Sequence, residues 1–441
     1  MENMIQNVDF SKYNNVFCDS LEALEWAYKN GLPKSAIVKS SAPAMLWDKK
    51  ININNIEARW TTGELEKFQE GVQELTECVF DSILSIPGVE REIALSVTDA
   101  VYRFQKIIYK AACLDESDFT DPRLFIYVDG ETGPSGNIMN SPWDQLLSPN
   151  PLFSMVNYTL RNDNWNQLTT QGISYWSRYK IAGFETIVYR LAKKIMKRLP
   201  SWLFTKELIV PNENELNIEI ASSLALHGVR ITELELDESF SIVKNKIIEG
   251  NIPTLYEVVQ PIMYERIEEW VTPSAVKITM LLFNSHLQEQ LKKFKLLVDK
   301  LENNIVKSHK IKQSVLMNAP GNIRGFALSY VCRKNGIPIM SSQHGVTVEI
   351  SKRHSMIRYE HDNSVADVMF SYNRKIIQVE KNTHFNHAKH YSVGMPLRLM
   401  RMKYANTTDR LALPIVFIST NLYHMGFSLS ANTDYRKARY E

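Results

Sequence analysis

Val16-Phe17-Cys18 and Ala36-Ile37-Val38 are short apolar runs separated by one helix-length segment, and this spacing leaves few topologies open. Strand, helix and strand within about 25 residues predict a parallel βαβ unit, because parallel neighbours need a crossover connection. Asp19-Ser20 supplies capping oxygens for the helix, and Gly31 a stop for it. Helical periodicity extends over 63–85 and 90–114, then a strand is predicted at Arg123–Val128. The loop from Gly130 to Pro151, rich in Gly, Pro, Asn and Ser, is of the kind that borders clefts. Residues 152–204 are expected to be mostly helical.

The pattern then restarts. Strands are predicted at Glu207–Val210, Arg230–Leu236, Gln313–Met317, Ile337–Ser342, Val365–Ser371 and His390–Val393. Helices are predicted at Asn214–His227, about 238–249, 255–270, 274–304 and Ile323–Asn335. At 441 residues the chain exceeds one ordinary core, so several α/β units are expected. The expected division is an α/β unit over 1–150, a helical insertion over 151–205, and an α/β unit over 206–400. Residues 401–441 would then be a hinge and the opening of a further domain. Pro414–Ile418 there has the character of a strand, and Ser419-Thr420-Asn421 of a polar turn. The fold class is therefore α/β, with Rossmann-like parallel sheets flanked by helices.

A formal charge of +2 gives no global field for nucleic acid, which is not expected as a partner. Cys18, Cys78, Cys113 and Cys332 are scattered without zinc spacing and suit reduced thiols of a cytoplasmic protein. There is no basic segment followed by an apolar run at the N-terminus, and the apolar run near Ala275–Phe283 is short of the ~20 residues of a spanning helix.

Chemistry concentrates where Ile337–Ser342 runs into Gln343-His344-Gly345. In open α/β sheets, ligands collect beyond the carboxyl ends of the strands. Imidazole can take a proton from a hydroxyl or hold a phosphate oxygen near neutral pH, and Gly345 permits close backbone approach. This strand-Ser-Gln-His-Gly run resembles an element of bacterial GT-B glycosyltransferases that build surface polysaccharides, including capsule and Kdo- or nonulosonate-type transferases. Ala366–Tyr372 resembles the strand that comes after that element. His390–Pro396 resembles the hinge strand before the donor domain, and Pro414–Asn421 the first strand and donor-facing loop of that domain.

The resemblance implies transfer from a nucleotide-activated sugar, such as a CMP-linked acidic sugar, to a glycan or lipid-linked glycan acceptor, without metal or other cofactor. Gln343 and His344 would line the cleft as catalytic residues, with Gly345 beside them. Gly394 and Pro396 would shape the hinge. Ser419, Thr420 and Asn421 would approach the donor phosphate, or form an ordinary polar turn. Other enzymes of the same fold remain alternatives, an epimerase or a polyol-phosphate transferase, as does a non-catalytic binding or scaffold protein.

Asn318-Ala319-Pro320-Gly321-Asn322-Ile323-Arg324 is a second candidate. A Pro-Gly loop entering a helix can offer N–H groups to an anion through Asn318, Gly321 and Arg324, and it serves equally as a plain connector. His384, His387 and His390, and His354 and His361 beside Glu360 and Asp362, invite a metal reading, but no matching Cys or carboxylate cluster accompanies them. No metal site is expected. Over residues 187–204, Arg190, Lys193, Lys194, Lys197 and Arg198 interleave with Ile187, Leu191, Ile195 and Leu199, with Trp202 and Phe204 beyond them. Such a helix can lie peripherally on an anionic inner membrane, or pack on a core with its basic face in solvent.

Overall fold

A computed structural model describes residues 8–18, 21–40, 53–58, 60–129, 146, 153–159, 175–234, 252–305, 311–343, 363–381 and 383–404. The chain opens with β1 (Asn15–Cys18), α1 (Leu21–Lys29), β2 (Val38–Ser40) and β3 (Ile53–Asn55). Next come α2 (Thr62–Leu84), α3 (Arg91–Ala112), the single-turn α4 (Ser117–Thr120), β4 (Arg123–Asp129) and β5 (Phe153–Thr159). These five strands form one all-parallel sheet in the order β3-β2-β1-β4-β5. Val16 lies opposite Val38 on one side and Leu124 on the other. The expected βαβ start is present, with the second strand shifted to Val38–Ser40.

Residues 153–159 correct the expectation of a mostly helical 152–204. Phe153-Ser154-Met155-Val156-Asn157-Tyr158-Thr159 pairs along its whole length with β4 and so belongs to the first sheet. The alternation of apolar and polar types there is strand-like, and the helical periodicity downstream masks it.

A helix α5 (Tyr175–Met196) leads to the second sheet. Its elements are β6 (Lys206–Val210), α6 (Glu215–Leu226), β7 (Arg230–Glu233), α7 (Ile252–Trp270), α8 (Pro273–Ile305), β8 (Lys312–Asn318), α9 (Ile323–Lys334), β9 (Ile339–Ser342), β10 (Val368–Ser371), α10 (Arg374–Glu380), β11 (Lys389–Ser392) and α11 (Leu397–Tyr404). The six strands are again all parallel, ordered β11-β10-β9-β8-β6-β7. The chain builds β6 and β7 in one direction, then returns across β6 to lay down β8, β9, β10 and β11 in the other. The order reverses between β6 and β8, which is the topological switch point of this sheet.

Side-chain alternation assigns each sheet two faces. Val16, Cys18, Leu124 and Ile126 pack with Ala23, Leu24 and Ala27 of α1, whereas Phe17 and Phe125 point the other way into a larger core. In the second sheet Leu208, Val210 and Leu316 pack with Ala221 and Ala225 of α6, while Val315, Met317 and Ile339 point into the same larger core as Phe17 and Phe125. That shared core is a slab of helices α2, α3, α7, α8 and α9. Helices from the first segment thus fill one core with helices and strands of the second.

Local sequence explains the slab. Thr61 and Glu64 form a reciprocal capping box at the start of α2, with bonds of 3.2 and 2.7 Å. Pro273 opens α8, where its missing N–H costs nothing. Along α8, Phe283, Leu287, Leu291, Phe294, Leu297, Val298, Leu301 and Ile305 are buried at helical spacing, and Phe294 meets Tyr330 of α9 edge-on at 5.8 Å. Gly71 lets α2 pass Trp270 of α7, since a Cβ there would stand 2.8 Å from the indole ring.

Candidate functional site

The carboxyl edge of the second sheet is tied together by amide side chains. Asn212 lies just past β6 and bonds the main chain of Asn318 twice: its Nδ2 donates to Asn318 O at 2.5 Å, and its Oδ1 accepts from Asn318 N at 2.8 Å. The side chain continues the β6–β8 ladder where the strand itself has ended. Asn214 caps α6 by accepting from Asn217 N at 2.7 Å. Its Nδ2 donates to Ser342 Oγ at 3.0 Å, so the cap reaches the end of β9 across the end of β8. Asn217 in turn donates to Asn212 O at 3.2 Å.

Gln343 makes the next tie. Its backbone N donates to Phe370 O at 2.9 Å, and its Oε1 accepts from Tyr372 N at 2.8 Å. Gln343 is 2% exposed. The Gln343 amide thus ties the end of β9 to the residue after β10. Asn373 then caps α10 by accepting from Ile376 N at 3.1 Å. His344 and Gly345 lie outside the described residues, as do Ser419, Thr420 and Asn421.

The Pro-Gly loop between β8 and α9 is wound tightly. Ala319 has φ of 48°, in the left-handed region where a Cβ is crowded. Asn322 N donates to Pro320 O at 2.7 Å, and Asn322 Oδ1 accepts from Arg324 N and Gly325 N at 3.1 and 3.2 Å. A Cβ on Gly325 would stand 1.8 Å from Pro320 O, so only glycine fits this turn. Of the N–H groups considered for an anion, those of Asn318 and Arg324 thus already have acceptors, in Asn212 Oδ1 and Asn322 Oδ1.

Two acceptors at the switch point are left over. Asn217 Oδ1 and Asn318 Oδ1 are buried and meet no hydrogen-bond donor among the described residues, on residues that are 0% and 9% exposed. Asn318 shares a sheet face with Leu316, which packs in the core under α6, the helix that carries Asn217. An unsatisfied buried acceptor costs about 1–3 kcal/mol, so these oxygens call for an O–H or N–H donor. Both are neutral carboxamides, suited to hydroxyls, an amino group or a base edge rather than to an anion.

The remaining sequence candidates lie elsewhere. His384 pairs with Asp81 at 2.9 Å, His387 with Arg333 at 2.8 Å, and His390 with Asn386 at 3.0 Å. They occupy a turn and the start of β11, each with its own partner, and no group of three metal-capable side chains occurs among the described residues. Burial, with Lys381 nearby, pulls the His390 imidazole below its ordinary range. His354, His361, Glu360 and Asp362 lie outside the described residues. Gly394 has φ of 93° and Pro396 is buried, as suits a sharp change of direction. Beyond this bend the chain enters α11, which is held on α5 and α6. Leu397 N donates to Glu219 at 2.9 Å, Arg398 pairs with Glu215 at 3.1 Å and Arg401 with Glu185 at 2.5 Å.

Sequence reasoning missed Asn212, Asn214, Asn217 and Ser342 as site residues. A signal was present: after each of β6, β8 and β10, an asparagine within four residues caps the next helix. Comparison with protein-family models, with curated proteins and with solved structures finds no match.

Proposed function

We propose that the carboxyl edge of the second sheet binds a nucleotide-activated sugar, and that the protein transfers the sugar to a glycan acceptor. The observation that carries this reading is the pair of buried amide oxygens, Asn217 Oδ1 and Asn318 Oδ1, at the switch point between β6 and β8. Acceptors without donors, at the place where α/β sheets collect ligands, suit sugar hydroxyls or the amino group of a base. The resemblance of Ser342-Gln343-His344-Gly345 to the corresponding run of GT-B glycosyltransferases supports the same reading from sequence.

In this mechanism the acceptor hydroxyl oxygen attacks the anomeric carbon. The bond from that carbon to the donor phosphate breaks, and the nucleotide leaves with the electron pair. His344 takes the hydroxyl proton or steadies the departing phosphate. Gln343, held by Tyr372 N and Phe370 O, fixes the point from which the chain enters His344. Asn214, Asn217 and Asn318 orient the sugar or base.

A donor screen with CMP-, UDP- and GDP-sugars tests the reading. Hydrolysis or transfer that His344→Ala removes, with nucleotide binding retained, is the expected result. Turnover undiminished in that variant would remove the assignment of His344. Binding without turnover by the parent protein would favour a non-catalytic sugar-nucleotide binder.

A further inference from the structure

Among the helices that flank the second sheet, α5 carries two apolar faces, and among the described residues one of them is packed and the other exposed. On the packed side Tyr189 is buried, Lys193 bridges Glu213 and Glu233 at 2.9 and 3.1 Å, and Met196 sulfur receives Ile231 N at 3.4 Å. On the other side Phe184, Leu191 and Ile195 fall on one stripe at helical spacing and are 66%, 52% and 54% exposed. The stripe continues past the helix end through Leu199, Trp202 and Leu203, with Trp202 76% exposed. Apolar side chains are often exposed singly, but a run of six on one helix and the turn after it is a surface that covers something.

Charge indicates what that is. Residues 186–206 hold six Lys and Arg and no Asp or Glu, in a chain whose overall formal charge is only +2. With Lys193 engaged inside, Arg190, Lys194, Lys197 and Arg198 remain exposed along the flank of the apolar stripe. A basic row beside an apolar row, ending in tryptophan, matches a membrane surface: anionic headgroups meet the cations, and the stripe enters the acyl boundary. The turn Ser201–Leu203 runs directly into the start of β6, so the aromatic end lies at the amino edge of the sheet, opposite the candidate site. No helix among the described residues is long and apolar enough to cross a membrane, and attachment through this face needs none.

We infer that the exposed face of α5, with the turn carrying Trp202 and Leu203, docks the protein on an anionic lipid bilayer. The inference stands independently of sugar transfer. Sedimentation of the full chain with vesicles tests it, using phosphatidylcholine alone and phosphatidylcholine mixed with phosphatidylglycerol. The protein pellets with the mixed vesicles and not with the neutral ones, and added salt weakens the association. Lys194→Gln and Lys197→Gln each lower the apparent affinity by about fivefold, the effect of ~1 kcal/mol per basic residue near an anionic surface. Trp202→Ala lowers it further, with the melting temperature unchanged because the ring is exposed. Three results would overturn the inference: the protein staying in solution with anionic vesicles, lysine variants binding as well as the parent, or light scattering that shows a dimer which Trp202→Ala dissolves.

Discussion

Asn214 is the residue on which the candidate site depends most visibly. One carboxamide caps α6, reaches Ser342 at the end of β9, and thereby ties strands two places apart in the sheet. Asn214→Ala is expected to cost about 1 kcal/mol for the lost cap, and more if Ser342 is left unpaired. Urea denaturation measures it, and an unchanged midpoint would contradict this bonding. Gly325 makes a sharper demand. Gly325→Ala places a methyl group against Pro320 O, a backbone atom that cannot swing away, so the β8–α9 loop must shift and carry Asn318 with it. The expected outcome is a lower melting temperature together with weakened nucleotide-sugar binding. An alanine variant as stable as the parent would show that the turn is loose enough to admit a side chain.

At the scale of elements, α8 is the beam between the two sheets. Phe294→Ala removes a fully buried ring packed on Tyr330, and a loss of about 3–5 kcal/mol is expected in chemical denaturation. A loss below about 1 kcal/mol would mean that α8 does not bear on the core. This helix is legible in the sequence, because its Leu, Phe and Val positions repeat at helical spacing over many turns. So are β1, β4, β6, β8 and β9, whose short apolar runs end in turn residues. β5 is not, since a strand seven residues long resembles an amphipathic stretch until it reaches its partner, and pairing with β4 decides its state. For the site, sequence identifies the strand end at Ser342-Gln343 but assigns Gln343 to chemistry. The bond to its amide comes from Tyr372 N, just past β10, and the bond to its backbone N–H from Phe370 O of β10, which no local pattern encodes.

Over the whole molecule, one core joins both sheets, from Phe17 and Phe125 on one side to Val315 and Ile339 on the other. Thermal unfolding is therefore expected as one transition, coincident in near- and far-ultraviolet circular dichroism; two resolved transitions would contradict a single cooperative core. The core also sets a pH dependence. Burial in α8 pulls the His286 imidazole down to about 4, so the folded protein keeps it neutral while the unfolded chain binds a proton below about 6.5. More protons bind to the unfolded state in that window, so stability is fully present above about pH 6.5 and falls as pH drops toward 4. The loss is on the order of 3 kcal/mol, and His286→Leu should flatten it. Asp367 acts at lower pH. Burial would raise its carboxyl, but hydrogen bonds from His387 and Ile339 N and the charge of Arg333 hold it below the ordinary range, so its contribution fades as pH falls through that lowered value.

Asn217 and Asn318, at the switch point of the second sheet, are the residues proposed to receive a nucleotide-activated sugar, and everything said of transfer rests on them. Calorimetric titration of the parent protein and of Asn318→Ala with the donor that the screen selects puts this to the test. Saturable binding by the parent, weakened about tenfold or more in Asn318→Ala at an unchanged melting temperature, is the expected result. Equal affinity in the two proteins would refute it and move the ligand away from this edge.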